Sequence, residues 1–182
     1  ALSMSRNNIK IGVILQGAET PFMKEVLKGI QEACAEVDNL GGTVLVHKIE
    51  HQNAEDVILA MEKMRMEEVS GIAMVPLDEE RVKREIDRFV EEFRIPVVTF
   101  TSDVEDTKRL CFVGQNGVQC GRAAAGLMGE LTGGKGKVAV ISGYSTNTSL
   151  SSRVVGFREE IARKYPGIEI IGPEYCFEEN GR

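Results

Sequence analysis

Short apolar runs alternate with amphipathic segments along most of the chain. Residues 9–15 form a run rich in β-branched side chains, and apolar residues then recur at three- and four-residue steps as far as residue 37. Thr20 is a candidate N-cap with Pro21 in the first turn, and Gly41-Gly42 would end the helix. The beginning of the chain therefore predicts a strand followed by an amphipathic helix.

The same unit repeats toward the C-terminus. The remaining predicted strands are residues 43–49, 71–76, 95–101, 110–114, 137–142 and 168–172. Helical patterns separate most of them, with apolar stripes over 57–64 and 82–93 and two further helices over about 118–131 and 150–164. Continuously apolar strands that alternate with helices are typical of parallel sheets covered on both faces. The predicted fold class is α/β, with doubly wound parallel sheets.

A polar stretch divides the chain. Residues 101–118 are rich in Asp, Asn, Gln and Gly, so we predict a first lobe over 9–115, with a crossover near residue 116, and a second lobe over 116–182. The first lobe has five predicted strands, whereas the second has two. A two-stranded sheet leaves unpaired edges. We therefore expect the second lobe to be incomplete, either because the sequence is part of a longer protein or because this half takes partners from another chain, and we expect self-association.

Charge and cysteine usage exclude several classes of protein. With 28 acidic and 22 basic side chains and a net charge of −6, the surface repels phosphate backbones. No run approaches the roughly 18 apolar residues of a membrane span, and residues 1–8 do not form the apolar core of a signal peptide. The cysteines fit neither zinc nor disulfide spacing, which predicts reduced thiols and a cytosolic protein; they are Cys34, Cys111, Cys120 and Cys176.

Motifs for catalysis fail when their context is considered. Residues 129–136 (GELTGGKG) approach a phosphate-binding loop, but Gly136 replaces the required hydroxyl and the loop leaves a helix instead of opening one. Residues 143–147 resemble half of a nucleophile elbow, yet both histidines, His47 and His51, lie upstream. We therefore expect no catalytic residues, no metal site and no cofactor.

Polar residues follow the predicted strands where ligands bind in open parallel sheets. They include Gln16, Glu19, Thr20 and Phe22, then Asp78, then Thr101, Ser102 and Asp103, and then residues 144–147. Amides, hydroxyls, few carboxylates and an aromatic ring suit a neutral polyhydroxylated ligand. The alternative is that these residues are ordinary caps and turns, where the same side chains are common.

An ordered series of segments extends this prediction. KIGVILQGAETPFMKEVLKGIQEA, GIAMVPLD, IPVVTFTSD, LCFVGQNGVQCGRAAAGLM, GKGKVAVISG and SSRVVGFREEI follow one another along essentially the whole chain. The series resembles the type I periplasmic-binding-protein fold, which sugar receptors share with the effector domains of LacI/GalR transcription regulators. The resemblance implies two lobes that clamp a sugar. In the regulators it also implies a homodimer in which a DNA-binding head and a hinge helix precede the first strand, and residues 1–8 resemble the end of that hinge.

The resemblance also implies ligand contacts. Residues 20–23 (TPFM) stand where the family usually has NPFF, and Gln115-Asn116 stands where Asp-Asn is usual. Thr101, or by a short shift Asp103, takes the place of an Asp after the fourth strand, and Arg153 matches an arginine expected to face the cleft between the lobes. The predicted ligand-binding residues are Gln16, Thr20, Phe22, Met23, Thr101, Asp103, Asn116, Tyr144 and Arg153.

The sequence is compatible with two functions. The first is the sugar-sensing domain of a LacI-type regulator, which is cytoplasmic and homodimeric and reaches operator DNA only through a head absent from this sequence. The alternative is the sugar-binding component of an ABC transporter, periplasmic or lipoprotein. An enzyme is the third class, and the failed motifs argue against it.

Overall fold

Five parallel strands form the first sheet. They are β1 (Lys10–Gln16), β2 (Thr43–Ile49), β3 (Gly71–Met74), β4 (Val97–Phe100) and β5 (Cys111–Val113), and their order across the sheet is β2-β1-β3-β4-β5. The structure is a computed structural model that describes residues 9–17, 19–143 and 145–172 and the backbone of residues 175–176. The strand order reverses direction between β1 and β3, which makes this position the topological switch point of the sheet.

One helix covers one face of this sheet. Helix α1 (Pro21–Asn39) lies against alternate residues of β1, because successive side chains of a strand point to opposite faces. Val13 and Leu15 are buried there together with Met23 and Val75. The Thr20 hydroxyl accepts a hydrogen bond from the backbone N–H of Met23 at 3.2 Å, so Thr20 caps α1 as predicted.

Two helices cover the other face. Helices α2 (Ala54–Met66) and α3 (Glu80–Glu91) bury the residues of β1 and β4 that point away from α1. Ile14 of β1 and Val97 of β4 are fully buried in this core, which α2 and α3 complete with Val57, Met61, Val82, Ile86 and Phe89. The predicted α/β fold with a parallel sheet covered on both faces is confirmed.

The second unit contains two helices and four short strands within the described residues. The helices are α4 (Gly117–Thr132) and α5 (Thr148–Lys164), and the strands are β6 (Lys135–Val138), β7 (Ile141–Ser142), β8 (Gly167–Ile170) and β9 (Tyr175–Cys176). Strand β6 pairs with β8 and β7 with β9, both in parallel. The chain divides into its two units after Val113, three residues before the crossover predicted near residue 116.

The prediction of one continuous strand over residues 137–142 is wrong. Two residues separate β6 from β7, whereas four separate β8 from β9, so the two ladders cannot share one register. An unequal number of residues on paired strands interrupts the ladder in the manner of a bulge. The preceding loop turns from α4 into β6 as predicted, with Gly133 in the left-handed conformation (φ 62°) at the end of the helix.

Helices α4 and α5 cross at very short range. A Cβ atom on Gly121 would lie 2.0 Å from the carbonyl oxygen of Arg153, and one on Gly156 would lie 2.0 Å from the carbonyl oxygen of Val118. Side chains at these positions would collide with backbone atoms, so the crossing depends on glycine. This contact brings the start of α4 next to Arg153.

None of the described helices is long and apolar enough to cross a membrane.

Candidate functional site

The carboxyl ends of β1 and β3 are joined by a side chain. Gln16 ends β1 and is only 5% exposed, and its Nε2 donates a hydrogen bond to the carbonyl oxygen of Val75 at 2.9 Å. Because a carbonyl oxygen can only accept, this contact fixes which end of the amide is nitrogen. The Gln16 Oε1 atom is buried and has no hydrogen-bond partner among the described residues. A buried unsatisfied acceptor costs roughly 1–3 kcal/mol, which a ligand hydroxyl at this place would offset.

The loop after β1 presents one aromatic ring to solvent. Phe22 lies in the first turn of α1 and is 64% exposed, whereas the next residue, Met23, is 6% exposed and packs in the core beneath α1. The Thr20 hydroxyl caps α1 and also donates to the carbonyl oxygen of Gly17 at 2.9 Å. Of these three predicted contacts, the structure leaves Phe22 open to a ligand, while Thr20 and Met23 serve the helix start and the core. A ligand role for any of the three stays a prediction.

The loop after β4 has unusual backbone geometry. Thr101 has φ of 60°, in the left-handed region that β-branched residues avoid. Its N–H donates to the carbonyl oxygen of Val113 at 3.1 Å, and the following N–H, of Ser102, donates to the carbonyl oxygen of Phe100 at 2.8 Å. Ser102 is buried and Thr101 is partly exposed. A ligand contact by Thr101 stays a prediction.

The Asp103 carboxylate is surrounded by donors. It accepts hydrogen bonds from the Thr99 hydroxyl at 2.7 Å, from the N–H of Val104 at 2.8 Å and from two nitrogens of the Arg109 guanidinium. Burial on its own would raise the pKa of Asp103, but the hydrogen bonds from Arg109, Thr99 and Val104 outweigh it and lower that pKa. Asp103 is therefore ionised at neutral pH and bound to β4 and to Arg109. A direct ligand contact by Asp103 stays a prediction.

Other carboxylates in these loops also have cationic neighbours. Asp78, after β3, lies 2.9 Å from Lys83, and Glu19, after β1, lies 3.7 Å from Lys24. Together with the Asp103–Arg109 pair, these contacts place a positive charge beside one carboxylate after each of the three strands. Within the described residues, no group of three or more His, Cys, Asp or Glu side chains is arranged to hold a metal ion.

The second unit holds the remaining predicted residues, Asn116, Tyr144 and Arg153. Asn116 caps α4, with its Oδ1 accepting from the N–H of Gln119 at 3.0 Å. Arg153 of α5 donates from Nη2 to Oε1 of Gln115 at 2.9 Å. Tyr144 lies outside the described residues. The assignment of Asn116, Tyr144 and Arg153 to a ligand site stays a prediction.

Sequence reasoning missed two features of these sites. Arg109, which holds Asp103, lies six residues downstream within the same polar loop, and oppositely charged residues at both ends of that loop were the available signal. The glycines Gly117 and Gly121, four residues apart, were the signal for the close helix crossing that sets the position of Arg153.

Comparison with known proteins agrees with this architecture. The family described as periplasmic binding protein domain matches residues 11–181. No curated protein matches the chain. An ABC transporter solute-binding protein from Burkholderia graminis, solved in complex with D-arabinose, is 26% identical with a TM-score of 0.81, and the match covers 94% of this chain and 56% of that one.

Two further solved structures have similar scores. GanP, a glucose-galactose binding protein from Geobacillus stearothermophilus, is 25% identical with a TM-score of 0.80, covering 94% of this chain and 59% of that one. A protein from Bacteroides fragilis described as a LacI transcriptional regulator has a TM-score of 0.82 at 20% identity, and the match covers 93% of this chain and 60% of that one. At that identity the likeness shows the fold alone. The chain thus spans less than two thirds of the length of these three structures.

Proposed function

The chain belongs to the periplasmic binding protein domain family, and on that premise we propose that it is the ligand-binding part of a receptor for a neutral sugar or sugar derivative. The proposal concerns a binding function without turnover. Its first-lobe site lies at the carboxyl edge of the five-stranded sheet, where the loops after β1, β3 and β4 end on the same side.

The unpartnered Oε1 atom of Gln16 carries this proposal. It lies at the switch point of the sheet, where open α/β sheets bind ligands, and it can only accept a hydrogen bond. A hydroxyl group is the donor that a sugar offers. The hydrogen bond from Gln16 to Val75 holds the amide in the orientation that keeps this acceptor available.

Charge and apolar surface support the same class of ligand. The cation beside each of Glu19, Asp78 and Asp103 lowers the net charge that these loops present, so the edge has little excess charge with which to attract a phosphate or an ammonium group. The exposed Phe22 ring offers a flat apolar surface on which the C–H face of a sugar ring can pack. Two relatives, one solved in complex with D-arabinose and one described as a glucose-galactose binding protein, add weight to a sugar ligand.

Thermal unfolding with a panel of compounds tests the proposal. We expect at least one neutral pentose or hexose to raise the unfolding temperature, and Phe22→Ala to reduce that shift. Leu59→Ala is the matched control, because Leu59 is a similarly exposed apolar residue (61%) on α2. Stabilisation by sugar phosphates or amino acids, with none by neutral sugars, would overturn the proposal.

We propose the regulator as the biological role, with the transport receptor as the second candidate. The thiols of Cys34, Cys111 and Cys120 are free and Cys111 is exposed, which favours a reducing, cytoplasmic setting. In that role the protein is a homodimer, and operator DNA is contacted by residues outside this sequence, because the chain has a net charge of −6. The transport role is favoured by the relatives at 25% and 26% identity, both described as binding proteins.

Fractionation of the native protein separates the two roles. A regulator stays in the cytoplasm after osmotic shock and retards DNA in a gel with an affinity that falls as salt rises. A transport receptor is released with the periplasm or stays with the membrane as a lipoprotein. Release by osmotic shock without DNA binding would overturn the regulator proposal while leaving the sugar-receptor proposal intact.

A further inference from the structure

Thr101 has a backbone conformation that is unfavourable for a β-branched residue. Its φ of 60° lies in the left-handed region, where a β-branched side chain crowds the backbone and raises the free energy of the folded state. Such a conformation persists only when the surrounding structure holds it. The residues around Thr101 must therefore supply the constraint.

Asp103 and its partners supply that constraint on the C-terminal side. The carboxylate binds Thr99 of β4 before the strained residue and Val104 after it, so a single side chain closes the turn around Thr101. Val104 is itself buried in the core between the sheet, α2 and α3. The turn is thus fastened both to its own strand and to the core of the first unit.

Arg109 completes the closure from the far end of the loop. Its guanidinium meets both oxygens of Asp103, and the side chains of the two residues are only 17% and 15% exposed. The residues next to Arg109 are anchored as well, because the N–H of Lys108 donates to the Asp87 carboxylate at 2.6 Å and the N–H of Leu110 to the carbonyl oxygen of Val97 at 2.8 Å. A forked guanidinium–carboxylate pair fixes direction as well as distance.

We infer that Asp103 and Arg109 form a positioning pair that holds Thr101 in the left-handed conformation at the carboxyl end of β4. The pair acts on Thr101 through the backbone of the turn, because Asp103 binds Thr99 before Thr101 and Val104 after it. This conformation directs the chain from the end of β4 into the buried Ser102.

The consequence for the ligand rests on the proposed function. With the Asp103 carboxylate bound to Arg109, we expect the partly exposed and uncharged Thr101 to contact a sugar at this loop. A double-mutant cycle measures the positioning of Thr101 by folding stability, with no ligand present. A negative result in the cycle would therefore overturn the positioning pair without bearing on the proposed sugar ligand, which is tested by binding.

The cycle combines Arg109→Ala with Thr101→Gly in the full chain. Arg109→Ala should lower the folding equilibrium constant about 30-fold, because it leaves a partly buried carboxylate without its cation. In the Thr101→Gly background, Arg109→Ala should lower the folding equilibrium constant about fivefold further than it does in the wild type. In the wild type Thr101 can relax when the pair is lost, which offsets part of the loss, whereas glycine has no strain to release. The effect of glycine on the unfolded chain cancels within the cycle. Additive effects would overturn the inference.

A control variant checks that the cycle reports on the pair. Arg88 on α3 binds Glu62 and Glu85 and stacks 4.7 Å from the Phe93 ring centroid, and these partners all lie outside the β4 loop. Arg88→Ala should therefore have the same effect in the wild-type and Thr101→Gly backgrounds, within about twofold.

Chemical shifts keep the test decisive if a variant is unstable. Arg109→Lys keeps one charged donor, so the backbone chemical shifts of Thr101 should stay in the left-handed range. If Arg109→Ala does not fold, Asp103→Asn is the second variant, and we expect the backbone chemical shifts of Thr101 to leave the left-handed range in it. Retention of the left-handed shifts without the pair would overturn the inference.

Discussion

Gln16 and Val75 are linked by a hydrogen bond of 2.9 Å across the ends of β1 and β3. The two strands are neighbours in the sheet but are separated along the chain by β2 and two helices. The same bond that satisfies Gln16 Nε2 leaves Oε1 buried and unpartnered. One side chain therefore stabilises the switch point and provides an acceptor there.

The first prediction concerns substitutions of Gln16. Gln16→Met removes the unpartnered acceptor but also takes the donor away from the carbonyl oxygen of Val75. These two effects oppose each other, so the free energy of unfolding should change by no more than about 1 kcal/mol. Gln16→Glu places a carboxylate against the carbonyl oxygen of Val75 and should destabilise the fold by about 2–3 kcal/mol at pH 7. The loss should shrink at pH 5, because burial raises the pKa of that carboxyl and its protonated form can donate to Val75. Urea unfolding at both pH values measures this. A Gln16→Glu variant as stable as the wild type at pH 7 would show that position 16 is solvated.

The second prediction concerns the acid stability of Asp103. Its pKa is lowered in the folded state, so its ionised form stabilises the fold at pH values above the ordinary carboxyl pKa of about 3.9, and this contribution is lost as pH falls through the lowered pKa. Asp103→Asn should therefore cost about 2–3 kcal/mol at pH 7, and the difference from the wild type should shrink below about pH 4. Urea unfolding across this pH range measures the difference.

The matched control for that prediction is Asp78→Asn. Asp78 has an ion pair with Lys83 at 2.9 Å, but its side chain is 42% exposed, so the change should cost less than about 1 kcal/mol. Equal losses from the two substitutions across the pH range would contradict the special position of Asp103.

Local patterns were enough to predict most elements and a first sheet with helices on both faces. The alternation around Ile14, with Val13 and Leu15 facing α1, follows from the period of a strand and needs no tertiary information. The break between β6 and β7 could not be predicted in this way, because it depends on how many residues separate β8 from β9. Pairing register is a property of two strands and is not visible in either one alone.

Site residues were harder to predict than elements. The resemblance pointed to Met23 as a ligand contact, a role that stays a prediction, and the structure adds that Met23 packs in the core beneath α1. Gln16 was selected for its place after β1, yet its burial and its unpartnered atom depend on Val75, which follows β3 much later in the chain. A single sequence identifies the loops at the sheet edge, whereas the contacts made across strands decide which side chains remain available.

The third prediction tests the helix crossing in the second unit. Gly121→Ala should destabilise it by about 2–3 kcal/mol, since the new Cβ would lie 2.0 Å from the carbonyl oxygen of Arg153 and 2.7 Å from the backbone nitrogen of Phe157. Gly126→Ala in the same helix meets nothing within 4 Å and should be neutral or stabilise by up to about 1 kcal/mol. Thermal unfolding of the two variants checks this. A tolerated Gly121→Ala would mean that α4 and α5 lie farther apart.

The fourth prediction concerns self-association. Leu127 and Leu131 lie one turn apart on α4 and are 62% and 74% exposed, which leaves an apolar strip on the second unit. We expect sedimentation velocity to show a concentration-dependent dimer that the Leu127→Glu and Leu131→Glu double variant weakens. Leu59→Glu on α2 is the control. A monomer at every concentration would contradict the expected homodimer.

The most direct test of the account is a nuclear magnetic resonance titration of the Gln16 side-chain amide with neutral pentoses and hexoses. We expect one sugar to shift the Gln16 amide and the Thr101 backbone signals in a saturable way, even at millimolar affinity, and Gln16→Met to weaken this binding. Saturable binding that leaves Gln16 and Thr101 unperturbed, or binding of charged compounds alone, would contradict it.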